Sequence, residues 1–214
     1  MVDAKLPVGR KPRYWAQAIT QLSAADPVLA VIIEASRSEG LRRRNDPFTM
    51  LARAIVGQQI SVKAADSIWQ RFSDLCGGVS PERVLATGEA RLRDGGLTRQ
   101  KSAYLVHLAE AARDGRLAAP KWHKLDDEAI IEELVVLKGI GRWTAEMFLI
   151  FHMQRPDVLP LGDLGLRRAI GQRYAGGRTL EHEEINDIAA RWRPWRTVAT
   201  WYLWRSLDPI PVEY

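Results

Sequence analysis

One stretch constrains this chain more than any other: Leu134 to Arg168, LVVLKGIGRWTAEMFLIFHMQRPDVLPLGDLGLRR. It opens with the end of an apolar helix and breaks at Lys138-Gly139-Ile140-Gly141. It then resumes as an apolar helix from about Arg142 to Met153. A Pro-bounded loop, Pro156 to Gly162, leads to one acidic residue, Asp163, and a further helical run. Two glycines around one apolar residue permit positive φ and close backbone approach, while Ile140 plugs the hairpin into a core. The backbone N–H groups at the start of the next helix, with its dipole, suit a phosphate. Taken alone, Gly-x-Gly is equally an ordinary turn between two helices.

The rest of the chain is punctuated in the same helical manner. Asp26-Pro27, Asp46-Pro47 and Ser80-Pro81 pair an N-cap with a proline at the first helical position. Ser61, Thr98 and Asp126 cap further runs, to Phe72 or beyond, to Arg113 and to Leu137. After Asp163 a helix runs to about Tyr174, another spans Glu181 to Trp192, and a last one starts at Pro194. Asp208-Pro209-Ile210-Pro211 is a stop and tail. No stretch alternates with period two, so the reading is an all-α chain of short helices. Its 214 residues suffice for one domain or two small lobes.

A formal net charge of +5 suits a polyanionic partner without proving one. The Arg42-Arg43-Arg44 run is read as a solvated loop or as a DNA contact. A lone cysteine, Cys76, excludes an internal disulfide and any Cys-rich metal or iron–sulfur site. No segment reads as a signal peptide or a membrane span, and the expectation is a cytoplasmic, monomeric protein with no membrane partner.

Asp163 stands at a helix start, where it is read as an N-cap, a catalytic carboxylate, or both. The helix dipole favours an anion there. A carboxylate facing the sugar is what cleavage of a glycosidic bond needs, because positive charge develops on the sugar in the transition state. Most glycosidases need a second carboxyl to protonate the leaving group. A base that is already cationic leaves without one. Glu146, on the helix after the hairpin, is read as a surface residue. Of the eight tryptophans, Trp143, Trp192, Trp195, Trp201 and Trp204 follow the hairpin. Most must be helical core, but a flipped, electron-deficient base needs flat faces to stack on, and Trp143 and Trp204 are the candidates.

Four stretches carry a resemblance: Ala52 to Val62 (ARAIVGQQISV), the turn Gly96-Leu97-Thr98-Arg99-Gln100-Lys101, the hairpin through Asp163, and Arg191-Trp-Arg-Pro-Trp-Arg196. Together they resemble the helix-hairpin-helix DNA glycosylase superfamily, and within it the AlkA-type 3-methyladenine DNA glycosylase II branch. The resemblance implies two helical lobes with the active site in the cleft between them. The central lobe is 46–155, with the hairpin motif at about 134–153, and the second lobe combines 1–45 with 156–214. It implies Asp163 as the catalytic aspartate. Trp143, Trp204, Met147, Gly165, Gln58 and Gln59 fall at or near the base pocket. Gly139 and Gly141, flanked by Lys138 and Arg142, would bind a DNA phosphate. Thr98, Arg99 and Gln100, followed by Lys101, would wedge into the gap left by the flipped nucleotide, with Arg99 the best single choice. No cofactor is required, but a structural Na+ or K+ on backbone carbonyls near Val135, Leu137 and Gly139 is implied. The partner is damaged duplex DNA, in a bacterial cytoplasm at the nucleoid.

The departures are informative. Bifunctional relatives carry a Schiff-base lysine where this chain has Trp143, so a monofunctional enzyme without lyase activity is expected. About 45 residues precede the central lobe, too few for the extra N-terminal β-rich domain of AlkA-type enzymes. The expected function is excision of alkylated purines such as 3-methyladenine and 7-methylguanine in base excision repair. The alternatives are a helix-hairpin-helix protein that holds DNA without chemistry, or a glycosylase for a mismatched or oxidised base.

Overall fold

A computed structural model describes residues 9, 11–36, 38–42, 46–117 and 122–207; Arg43, Arg44 and the tail from Asp208 lie outside the described residues. The helices are α1 (Trp15–Ala25), α2 (Pro27–Ala35), α3 (Pro47–Gly57), α4 (Val62–Cys76), α5 (Pro81–Leu92), α6 (Arg99–Arg113), α7 (Asp127–Val135), α8 (Arg142–Phe151), α9 (Leu164–Tyr174), α10 (His182–Ala190) and α11 (Arg196–Arg205). No strand occurs among the described residues, and the fold is all-α. The caps act as their residue types dictate. The side chains of Asp26, Asp46, Ser61, Ser80, Thr98, Asp126 and Asp163 each accept from a backbone N–H two or three residues on. Two helices end earlier than the sequence patterns suggest: α7 at Val135 rather than Leu137, and α8 at Phe151 rather than Met153. In both places the apolar run continues past the last helical turn.

By their contacts the residues fall into two compact units, Met1–Arg44 with Leu149–Glu213, and Asn45–Phe148. The sequence reading puts the second change-over in the loop after Arg155. The contacts put it inside α8, after Phe148.

The first unit is built around α11. Seven consecutive residues of it, Thr197 to Leu203, are buried, so this helix is surrounded rather than amphipathic. It packs on α1, α2 and α9, and Trp15 of α1 meets Trp201 edge-on at 5.5 Å between ring centroids. Asp26 shows how far a cap reaches. One oxygen caps α2, accepting from Val28 N and Leu29 N at 2.9 and 3.1 Å. The other accepts from Trp192 Nε1 at 2.8 Å and the Tyr174 hydroxyl at 2.9 Å. The carboxylate is wholly buried and shared among four donors, which meets the requirement for a buried polar group. It joins the N-terminal helices to α9 and to the segment before α11.

In the second unit, α3 and α6 supply the core, through Leu51, Ile55, Val56, Leu105 and Leu108 among others, and α4 and α5 pack around them. Gly88 interrupts α5 with a positive φ of 76°. Trp122 stands edge-on to Phe148 and donates its indole N–H to Glu133 at 3.1 Å.

Candidate active site and hairpin

Asp163 is delivered by a loop that α11 holds. The Thr197 hydroxyl donates to the Arg155 carbonyl at 2.6 Å and accepts from Val158 N at 3.0 Å. Arg196 grips the Asp157 carboxylate with Nε at 2.6 Å and Nη2 at 3.0 Å, and Arg193 adds a contact at 2.9 Å. The two arginines therefore serve the loop. Asp163 N then donates to the Pro160 carbonyl at 2.9 Å, closing the last turn before α9.

The half-buried Asp163 carboxylate sits at the N-terminus of α9, where the helix favours a negative charge. Two neutral donors converge on its Oδ1: Leu166 N at 2.6 Å and the Trp204 indole N–H at 2.8 Å. Gly165 packs close beside this pair. A Cβ there would stand 3.2 Å from Asp163 Oδ1 and 3.5 Å from the Trp204 ring. Phe151, at the end of α8, stacks on one face of Trp204, with centroids 5.9 Å apart and planes 9° apart. Leu164, next to the carboxylate, is 78% exposed. Asp163, Gly165 and Trp204 thus form one constellation. Phe151 completes it, and no sequence signal distinguished Phe151 from core.

The hairpin belongs to the second unit. Leu137 and Ile140 are buried and anchor it, as the sequence suggests for Ile140. Of its two glycines only Gly139 uses left-handed backbone, at φ 87°. A Cβ on Gly139 would collide with the Tyr104 ring, so this residue has to be glycine on two counts. Gly141 and Lys138 are exposed. A fixed cation would need Val135, Leu137 and Gly139 carbonyls. Leu137 O already accepts from Ile140 N at 3.0 Å and Gly139 O from Gln58 Nε2 at 2.8 Å, so each of these two offers a cation its second lone pair.

Several residues expected to touch DNA or base are committed elsewhere. The Gln58 amide is on the hairpin, at the Gly139 carbonyl. Lys101 Nζ turns inward to the carbonyls of Val56 and Gln58 at 2.8 and 2.7 Å, and burial lowers its pKa from the ordinary lysine value. Gln100 donates to the Tyr104 hydroxyl at 2.5 Å. Arg142 holds Glu128 with two bonds of 2.6 and 2.8 Å and Glu146 at 3.2 Å. The hydrogen bond to Glu128, above all, raises the Arg142 pKa and lowers that of Glu128. Glu146 is only 7% exposed; its ion pair with Arg142 one turn back lets it turn inward, which corrects the surface reading. Met147 is buried and Trp143 half-buried on α8. Thr98, Arg99 and Gln59 are exposed, and Gln59 holds a positive φ of 58° in the loop after α3.

A family model described as HhH-GPD superfamily base excision DNA repair protein matches residues 52–194. The chain is 35% identical to DNA-3-methyladenine glycosylase 1 of Schizosaccharomyces pombe, over 76% of this chain and 73% of that protein. Its structure is similar to that of the Bacillus halodurans DNA-3-methyladenine glycosidase, with TM-score 0.78, 34% identity and 89% of each chain covered. It is also similar to the S. pombe 3-methyladenine DNA glycosylase in complex with abasic DNA, with TM-score 0.76 and 31% identity, covering 89% of this chain and 96% of that one.

Proposed function

Because the chain belongs to the HhH-GPD superfamily of base excision DNA repair proteins, we propose that it is a monofunctional DNA glycosylase. Its substrates are purines made cationic by alkylation, such as 3-methyladenine and 7-methylguanine, flipped out of duplex DNA. The observation that carries the reading is the Asp163 constellation: a half-buried carboxylate at a helix N-terminus, with an indole N–H and a backbone N–H on one oxygen. Relatives named as 3-methyladenine glycosylases support the substrate class.

The chemistry is economical. The N-glycosidic bond breaks and its electron pair neutralises the departing cationic base, so no general acid is needed. The Asp163 carboxylate stabilises the positive charge left on the sugar. Water attacks the anomeric carbon and gives up a proton, for which the carboxylate is the acceptor. The products are the free base and an abasic site. Trp143 stands where a lyase would carry its nucleophilic lysine, so the strand stays intact. The N–H groups at the hairpin hold a backbone phosphate, and exposed Arg99 fills the gap in the duplex. A monovalent ion on the Val135, Leu137 and Gly139 carbonyls would add fixed positive charge beside that phosphate.

Chromatography of bases released from methylated duplex DNA tests the reading. Wild-type protein is expected to release methylated purines without strand cleavage, and Asp163→Asn to release none. Release by Asp163→Asn at the wild-type rate would remove the mechanism. DNA binding without any release would leave a non-catalytic clamp.

A further inference from the structure

The polar groups around Gly139 are arranged as a mould for the hairpin. Lys101 Nζ bonds the carbonyls of Val56 and Gln58, at the C-terminal end of α3, where helix carbonyls lack intrahelical partners and the dipole is negative. That fixes the backbone at Gln58. The Gln58 side chain then reaches across 81 residues of sequence to hold the Gly139 carbonyl at 2.8 Å. From the other side the Tyr104 ring lies where a Gly139 side chain would be, and Gln100 holds the Tyr104 hydroxyl. Lys101 and Tyr104 come from the first two turns of α6, and Gln58 from the end of α3.

We propose that Gln58, Lys101 and Tyr104 are positioning residues that set the backbone shape of the phosphate-binding hairpin before DNA arrives, rather than residues that contact DNA or the flipped base. This rests on the reading of the hairpin as a phosphate clamp. A clamp made of backbone N–H groups has no side chains of its own to adjust, so its affinity depends on how well the loop is held in advance. Two of the three Lys101 N–H donors are spent on carbonyls of the protein, so the side chain is directed away from DNA phosphate and displaces no counterion.

Salt dependence separates positioning from contact. Binding of wild type, Lys101→Met, Lys101→Arg, Gln58→Leu and Tyr104→Leu to a duplex with an abasic-site analogue is measured across a salt series. Amide hydrogen exchange at the hairpin is followed in the same proteins without DNA. Lys101→Met, Gln58→Leu and Tyr104→Leu are expected to weaken binding about tenfold. Lys101→Met and Gln58→Leu should leave the slope of log affinity on log salt unchanged. Lys101→Arg, which keeps donors for both carbonyls, is expected to restore binding. Hairpin amides should exchange faster in the weakened variants while the cores of α3 and α6 keep their protection. A slope reduced by about one unit in Lys101→Met would make Lys101 a phosphate contact and overturn the proposal. So would hairpin exchange that stays at the wild-type rate in all three weakened variants, whether or not DNA binds. Failure of the wild type to bind DNA at all would instead sink the clamp reading, and the exchange result would still decide the mould.

Discussion

The surroundings of Asp163 and of Gly139 solve opposite problems. At Asp163 a side chain is held, by a backbone N–H and an indole N–H on one oxygen. At Gly139 the backbone is held, by the side chain of Gln58, whose own carbonyl Lys101 holds in turn. The difference teaches where to look for functional groups. A charged side chain near the hairpin is not by that fact a DNA contact, since Lys101 and Arg142 are both committed within the protein. An uncharged residue near Asp163, Gly165, leaves room around the carboxylate, since a Cβ there would stand 3.2 Å from its Oδ1.

The comparison breaks first at Asp163. Asp163→Asn keeps a competent helix cap and so a folded protein, but is expected to slow base release at least about a hundredfold. Single-turnover release beside a binding curve checks this, and equal losses in both would show that the carboxylate serves binding. Next is Gly139→Ala. Positive φ and the collision with Tyr104 together are expected to cost about 1–3 kcal/mol of stability and most of the DNA affinity. Denaturant titration with a binding curve reads it, and wild-type binding would show that the hairpin tolerates another shape. A smaller effect is expected of Trp204→Phe, which keeps a ring against Phe151 but removes the N–H from Asp163. One hydrogen bond is worth about 1 kcal/mol, or roughly a fivefold slower release at saturating DNA. An unchanged rate would mean that Trp204 acts through its face alone. The smallest belongs to Arg142→Gln. With its guanidinium on Glu128 and Glu146, its loss is expected to change DNA affinity less than about twofold and the salt slope not at all. A slope lower by about one unit would show that Arg142 leaves Glu128 for a phosphate.

Much of this molecule was legible from residue order. The Asp-Pro and Ser-Pro starts and the capped start of α9 at Asp163 all rest on interactions within a few residues. The bonds that Gln58 and Lys101 make to backbone carbonyls were not legible. A glutamine in a loop and a lysine on a first helical turn look the same in sequence whether they face DNA or the protein's own carbonyls. Glu146 misled for the converse reason: a charged residue reads as surface until its partner one turn back is seen to turn in with it.

What the sequence determined by itself was local. It set where helices begin, that a turn falls at Gly139-Ile140-Gly141, and that an acidic residue stands at the start of α9. Only the tertiary structure decided which distant groups meet. Asp163 meets Trp204 across 41 residues, Gly139 meets Gln58 across 81, and Asp26 meets Trp192 across 166. A cap is chosen by the backbone a turn away, whose geometry every helix start shares. A partner across the core is chosen by how whole helices pack, which no short window of sequence contains.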